Sequence, residues 1–245
     1  MEHPRVTADP KPHESLLLHL QALLEILVVV LFAATFIVQP FRIPSESMQP
    51  TLMVGDFLLG NKQAFAPAGT LDKILPPTTL HRGDLVIFLK PNPETPDLIL
   101  VKRIIGLPGD HLHLRHNHVY LNEKPITEPY AVYSSAPPDS FRDDFPSLLR
   151  ANPDVNPNWW AQLRRTEVHG EIIVPPNSYF VMGDNRNDSE DSRYWGYVPR
   201  SAILARPLLV YFSTAAPPSQ PTSTTLWQRI TANLHAEASN LRILR

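Results

Sequence analysis

The chain contains no cysteine, which excludes a disulfide scaffold, thiol catalysis and every cysteine-ligated zinc or iron–sulfur centre. Glycine is scarce, nine in 245 residues, whereas proline is abundant at 27, about twice the ~5% of ordinary chains. Proline fixes φ and removes a backbone donor, so this balance favours extended connections and β-structure over helix bundles. Neither sign of charge dominates: 22 basic and 24 acidic side chains leave a net charge of −2. A surface that tracks phosphates needs a clear basic excess, so nucleic acid is not an expected partner. No Walker lysine loop, H-E-x-x-H helix or G-x-S-x-G elbow occurs, which removes the commonest NTPase, zincin and α/β-hydrolase readings. With 43% apolar and 19% charged residues, a chain of this length can bury a core as one medium domain or two small ones.

Only one long apolar run is present. From Leu16 to Val38 the polar residues are His19, Gln21, Glu25 and Thr35. As a helix this run reaches roughly 34 Å, enough for a ~30 Å hydrocarbon core, and it predicts one transmembrane anchor over 16–38. Pro40 and Pro44 stop it. A cleaved signal peptide fits less well, because the run is long, the residues before it carry no net positive charge and no A-x-A site follows. Arg5 and Lys11 before the run, against Arg42 just after it, favour a cytoplasmic segment at 1–15. The lipid bilayer is thus an expected partner, with the remaining residues together on the outer side of the plasma membrane.

Past the anchor the pattern turns to β-structure. Residues 84–89 and 98–105 are short branched apolar runs bounded by glycine and proline. Leu112, Leu114, Val119 and Leu121 flank residues 115–117 as a hairpin would. Residues 172–174, 179–182 and 208–212 supply three more candidate strands. The stretch 128–169, with Asp143, Asp144, Trp159 and Trp160, has no clear period and reads as an inserted lobe. A linker rich in proline, serine and threonine follows residue 213. Leu226, Ile230, Leu234 and Leu241 then recur at helical spacing, which predicts an amphipathic helix closing the segment 214–245. The fold expected is mainly β, an antiparallel catalytic domain over 40–213.

Three segments concentrate motif-like residues. The first, Pro44-Ser-Glu-Ser-Met-Gln-Pro-Thr-Leu52, sets the hydroxyls of Ser45 and Ser47 two residues apart, on one face if the backbone is extended. Taken alone it also reads as an ordinary Ser/Pro turn. In the second, Val101 to Asp110, Lys102 interrupts an apolar strand. Such a lysine often snorkels to the surface, but a buried one loses charge, and an amine near pKa ~8 can take a proton from serine. The third, Met182 to Gly196, is a dense polar loop. Read as a calcium loop it fails, since Arg186 and Ser189 stand where an oxygen ligand and glycine belong. His111, His113, His116 and His118 admit a metal reading, though four histidines about a hairpin tip are more simply exposed polar positions.

Taken in order, these segments resemble bacterial signal peptidase I, the leader peptidase family of membrane-anchored proteases with a serine–lysine dyad. The resemblance rests on P-S-x-S-M-x-P-T-L at 44–52, R-G-D at 82–84, K-R-x-x-G-L-P-G-D at 102–110 and G-D-N-R-x-x-S-x-D-S-R at 183–193. It implies Ser47 as nucleophile and Lys102 as general base, with Ser45 joining the Ser47 amide in an oxyanion hole. It also implies that Ser189 orients the lysine while Asp191 and Arg193 brace the loop. Ile43, Pro44, Met48, Leu52, Leu100 and Val101 match the family's substrate wall. The implied substrates are signal peptides of exported preproteins, cut after small residues at −1 and −3, with neither metal nor cofactor. Glu46 stands where many relatives carry glycine, and an extended backbone is expected there. A specialised protease maturing one conjugation or pilus protein would share every motif, and an inactive membrane-anchored assembly protein is the non-enzymatic alternative.

Overall fold

The computed structural model describes residues 12–32, 35, 37–62, 79–91, 97–149, 152–214 and 242–244. The chain divides into two units, Met1–Val38 and Gln39–Arg245. The first holds helix α1 (Pro12–Phe32), whose described side chains, residues 16–32, are all exposed. Among the described residues no helix is long and apolar enough to cross a membrane. The helix overlaps the expected segment 16–38 over residues 16–32, but starts earlier, at Pro12, and Val38 already belongs to a strand. A proline is tolerated in a first helical turn, whereas Pro40 would remove a donor and clash with the preceding turn.

The second unit is built on two largely antiparallel sheets. Its strands in chain order are β1 (Val38–Arg42), β2 (Asp56–Asn61), β3 (Leu85–Leu89), β4 (Ile99–Gly106), β5 (His111–Arg115), β6 (His118–Leu121), β7 (Lys124–Pro125), β8 (Ile172–Ile173), β9 (Ser178–Met182), β10 (Val198–Pro199), β11 (Ile203–Ser213) and β12 (Arg242–Ile243). The larger sheet runs β1-β2-β11-β3-β4-β9-β10, with β12 beside β11, and the smaller runs β7-β6-β5-β8. The long strand β11 joins the halves of the larger sheet, pairing Arg206–Ser213 with β2 and Ile203–Ala205 with β3.

The seven expected strands all form, the last beginning five residues earlier than the sequence indicated. Strands β1, β2, β7, β10 and β12 went unread because they are short or carry proline and glycine. The expected carboxy-terminal helix lies outside the described residues, except that 242–244 include strand β12 rather than helix.

The stretch 128–169 gains its order from two capped helices. Asp139 accepts from the Phe141 and Arg142 amides ahead of α2 (Ser140–Asp143), and Asn156 accepts from the Asn158 and Trp159 amides ahead of α3 (Pro157–Thr166). Such caps satisfy amides that have no partner inside the helix. Phe141, Phe145, Val155, Trp159 and Leu163 are buried in one core with Leu112, Leu114, Val119 and Leu121 of the smaller sheet. This stretch thus shares the hydrophobic core of the smaller sheet. A second core, with Met48, Leu52, Leu58 and Ile87, lies within the larger sheet.

Candidate active site

Strand β4 is apolar and almost fully enclosed beyond Val101, and Lys102 sits on it with 3% exposure. Its neighbours pair unevenly. Ile99 to Arg103 are in register with β3, but β9 joins β4 only from Arg103 onward. Among the described residues, Ile99 to Lys102 therefore have a ladder partner on one side only, an edge able to accept another strand.

Ser47 lies in a 3-10 turn, Glu46–Met48, rather than the extended backbone expected there. Glu46 is not among the positive-φ residues, so a side chain in place of glycine introduces no such strain. The turn is closed by the Gln49 amide donating to the Glu46 carbonyl at 2.9 Å. It holds Ser47 at 7% exposure against the strand that follows Ile99. Lys102 Nζ lies 2.5 Å from Ser47 Oγ, in hydrogen-bond contact across 55 residues of sequence. Ser45 Oγ lies 3.2 Å from Ser47 Oγ.

Burial lowers the Lys102 pKa to about 8, because an ammonium loses its hydration inside the protein. Asp191 opposes that shift and Arg193 adds to it. The Asp191 carboxyl is itself wholly buried, which works against its charge, but Arg193 and Lys102 together hold it below the usual carboxylate range. A hydroxyl in contact with an amine that is readily neutral near pH 8 can pass its proton to that amine and become a nucleophile.

The loop from Gly183 to Arg193 forms a frame beside this pair. Asp191 accepts from Ser189 Oγ at 2.8 Å, from Arg193 Nε and Nη2 at 2.9 Å each, and from the Gly183 amide at 3.1 Å. Ser189 thus directs its hydroxyl to Asp191, not to Lys102. The Asn185 amide donates to the Ser47 carbonyl at 3.1 Å. A Cβ on Gly183 would come within 2.5 Å of both the Ser47 carbonyl oxygen and Ser189 Cβ. Glycine is required there by close approach, which a sequence pattern shows only as a glycine before Asp184.

Two ion pairs escaped the sequence reading. Arg103, next to Lys102, donates to Asp184 Oδ1 and Oδ2 at 2.8 and 2.6 Å, and Thr51 Oγ1 donates to Oδ2 at 2.6 Å. Arg186 donates to Glu128 Oε2 at 2.8 Å. These charges tie β4, the turn after Ser47 and the start of the 128–169 stretch to one loop. The only signal was the place of Arg103, Asp184 and Arg186 inside the quoted motifs; Glu128 lies in none of them. Arg82, Asp84 and Asp110 play a separate part: the Leu107 amide donates to Asp110 at 2.7 Å and the His81 amide to Asp84 at 2.9 Å, closing turns around β4.

A cavity of about 280 Å³ extends from Ser47 between residues 39–45 and residues 99–101. Ile43, Pro44, Met48, Leu100 and Val101 line it. Leu52 does not; it is fully buried in the core it shares with Met48. The four histidines lie elsewhere. His113 is buried rather than exposed, its Nδ1 2.8 Å from Glu171 and its ring stacked on Tyr120. Among the described residues no group of three His, Asp or Glu side chains is arranged to hold a metal ion.

The family model for signal peptidase, peptidase S26, matches residues 16–212. The chain belongs to that family. Signal peptidase I of Pseudomonas aeruginosa is 34% identical over 205 residues, covering 78% of this chain and 71% of the relative. That of Aquifex aeolicus is 30% identical over 227 residues, covering 80% and 84%. The crystal structure of a signal peptidase I from Enterococcus faecalis V583 aligns with a TM-score of 0.38 at 27% identity, over 53% of this chain and 97% of that one. As a family member the chain is a serine peptidase, a hydrolase that removes signal peptides from preproteins.

Proposed function

We propose that this signal peptidase family member cuts by a Ser47/Lys102 dyad and selects small residues at −1 and −3 of an extended signal peptide. The observation that carries the reading is the 2.5 Å contact between a buried serine hydroxyl and a buried lysine amine whose pKa is lowered to about 8. The substrate adds a strand to the one-sided edge at Ile99–Lys102, and its −1 and −3 side chains enter the cavity beside Ile43, Met48 and Val101. A cavity of about 280 Å³ shared by two side chains favours small ones.

Lys102 Nζ takes the Ser47 proton as Oγ attacks the carbonyl carbon of the −1 residue. The oxyanion is met by the Ser45 hydroxyl and the Ser47 amide, donors of the kind whose loss raises a barrier by ~2.7–4 kcal/mol. The protonated amine then gives its proton to the leaving nitrogen, the peptide bond breaks and an ester to Ser47 remains. Water, deprotonated by Lys102, attacks the ester; the bond from the acyl carbon to Ser47 Oγ breaks, Lys102 returns the proton to Oγ, and the carboxyl end of the signal peptide is freed. Asp191, held by Arg193 and the Gly183 amide, fixes Ser189 and the loop that bears on the Ser47 carbonyl.

The apolar segment at 16–38 anchors the chain to the plasma membrane, with residues 1–15 in the cytoplasm and the peptidase unit outside. Every large apolar side chain described from Leu16 to Phe32 is at least half exposed, as suits a surface that meets lipid. Anchoring keeps the dyad where a membrane-embedded signal peptide emerges, which raises effective concentration.

The test is cleavage of a preprotein with an Ala-x-Ala site by the full chain in detergent, read by mass spectrometry of the new amino terminus. Wild type should cut after the −1 alanine, and Ser47→Ala and Lys102→Ala should each lose about 10⁴-fold or more in kcat while staying folded. Retained cleavage by Lys102→Ala would sink the dyad.

A further inference from the structure

A second cavity, of about 470 Å³, opens on the other side of the pair and is lined by Ser45, Glu46, Ser47, Lys90, Leu98, Leu100, Lys102, Asp188 and Glu190. Three observations connect it to the substrate path. Both members of the Ser47/Lys102 pair line it, so it adjoins the reacting carbon. The edge of β4 divides the two cavities by parity: Ile99 and Val101 line only the first, whereas Leu98 and Lys102 line only the second, with Leu100 between. Alternate residues of a strand point to opposite faces, and a peptide strand added to that edge obeys the same alternation. Side chains at −1 and −3 therefore share one face, and those at −2 and +1 share the other.

The second cavity is lined by five ionisable side chains, Glu46, Lys90, Lys102, Asp188 and Glu190, the first by one, Arg42. Lys90, whose side chain is only 11% exposed, holds Glu190 at 2.6 Å, joining the end of the β3 segment to the loop at 188–190. That pair neutralises itself, and among the described residues Glu46 and Asp188 have no ion-pair partner while Lys102 is neutral.

We propose that this cavity is the subsite for the side chains flanking the scissile residue, −2 and +1, and that the Lys90–Glu190 pair sets its charge preference. The inference rests on the peptidase reading above and on the same strand-addition geometry. Removing the lysine makes the subsite more negative and disfavours an acidic substrate side chain. Removing the glutamate frees Lys90 and favours one. A partly exposed charge contact of this kind changes affinity by about three- to five-fold.

The experiment uses the full chain in detergent and synthetic peptides with an Ala-x-Ala site carrying Asp, Asn or Lys at −2 or at +1. The ratio of kcat/KM for the Asp peptide to that for the Lys peptide should fall about three- to five-fold in Lys90→Met and rise by a similar factor in Glu190→Gln. The double variant should return close to wild type, a compensation that structural damage would not produce. The ratio cancels any change in the Lys102 amine. Cleavage of the Asn peptides with both ratios unmoved by either variant would overturn the subsite while leaving the peptidase reading intact. Failure of wild type to cut the Asn peptides would instead overturn the peptidase reading, and the subsite with it.

Discussion

The smaller sheet, β5 to β8, and the larger sheet, which carries Ser47 and Lys102, are assembled from different distances. Strands β5, β6 and β7 follow one another within 15 residues, and their hairpin turns at His116 and Asn117, both at positive φ (49° and 66°). Two consecutive residues in that region make the turn whose twist suits a two-residue hairpin. The site in the larger sheet depends on contacts across 55 residues for Lys102 and Ser47, 81 for Arg103 and Asp184, and 133 for Thr51 and Asp184. The local sheet can lose a contact and remain itself. The site is less tolerant, because its buried Arg103 and Arg186 are held by Asp184 and Glu128 from distant elements, and its Asp191–Arg193 pair stands in the loop that meets the Ser47 carbonyl through Asn185.

That contrast predicts a graded series. The largest effect should come from Asp184→Asn, which leaves the Arg103 guanidinium buried beside a neutral amide. Breaking a buried pair in this way costs about 3–5 kcal/mol, to be measured by chemical denaturation, and cleavage should fall with it. Gly183→Ala should come next. Its methyl meets the Ser47 carbonyl and Ser189, so overpacking of about 1–3 kcal/mol is expected. Displacement of Ser47 adds a loss of about 10²-fold in kcat, read in the same assay. The smallest effect belongs to the other sheet: His116→Val places a β-branched residue at a φ of 49°, costing about 1–2 kcal/mol of stability. Its kcat/KM should stay at the wild-type value. A hairpin variant that lowered kcat as much as Gly183→Ala would erase the distinction between the two sheets.

Legibility in the sequence follows the same division. The hairpin of β5 and β6, and the runs that became β3, β4 and β9, were readable because alternation and branched residues report burial locally. Strands β1 and β2 were not, since Pro40 and Gly60 break their pattern. Their place in the sheet comes from β11, and the close contact of Gly60 with Ala205 and Phe41 is visible only in three dimensions. Within the site, Ser45, Ser47, Lys102, Ser189, Asp191 and Arg193 could be named from motif order. The 3-10 turn at Glu46–Met48 could not, nor the use of Ser189 toward Asp191, nor the burial of Leu52 beneath the cavity rather than in its wall. The turn meets Asn185, 138 positions away, and Leu52 packs on residues of several strands, whereas the Ser189–Asp191 bond is local but is chosen by a loop geometry that a motif does not state. His113 is the converse case: a residue that looked like part of an exposed cluster is enclosed because Glu171 and Tyr120 cover it.

The central claim is that Lys102, in neutral form, takes the Ser47 proton, and the pH dependence of kcat/KM for the full chain in detergent tests it most directly. A base must be deprotonated to act, and burial sets the Lys102 pKa at about 8. Activity should therefore rise with pH through a midpoint near 8, with about one hundredth of the plateau left at pH 6. A profile that keeps full activity at pH 6 would contradict the account.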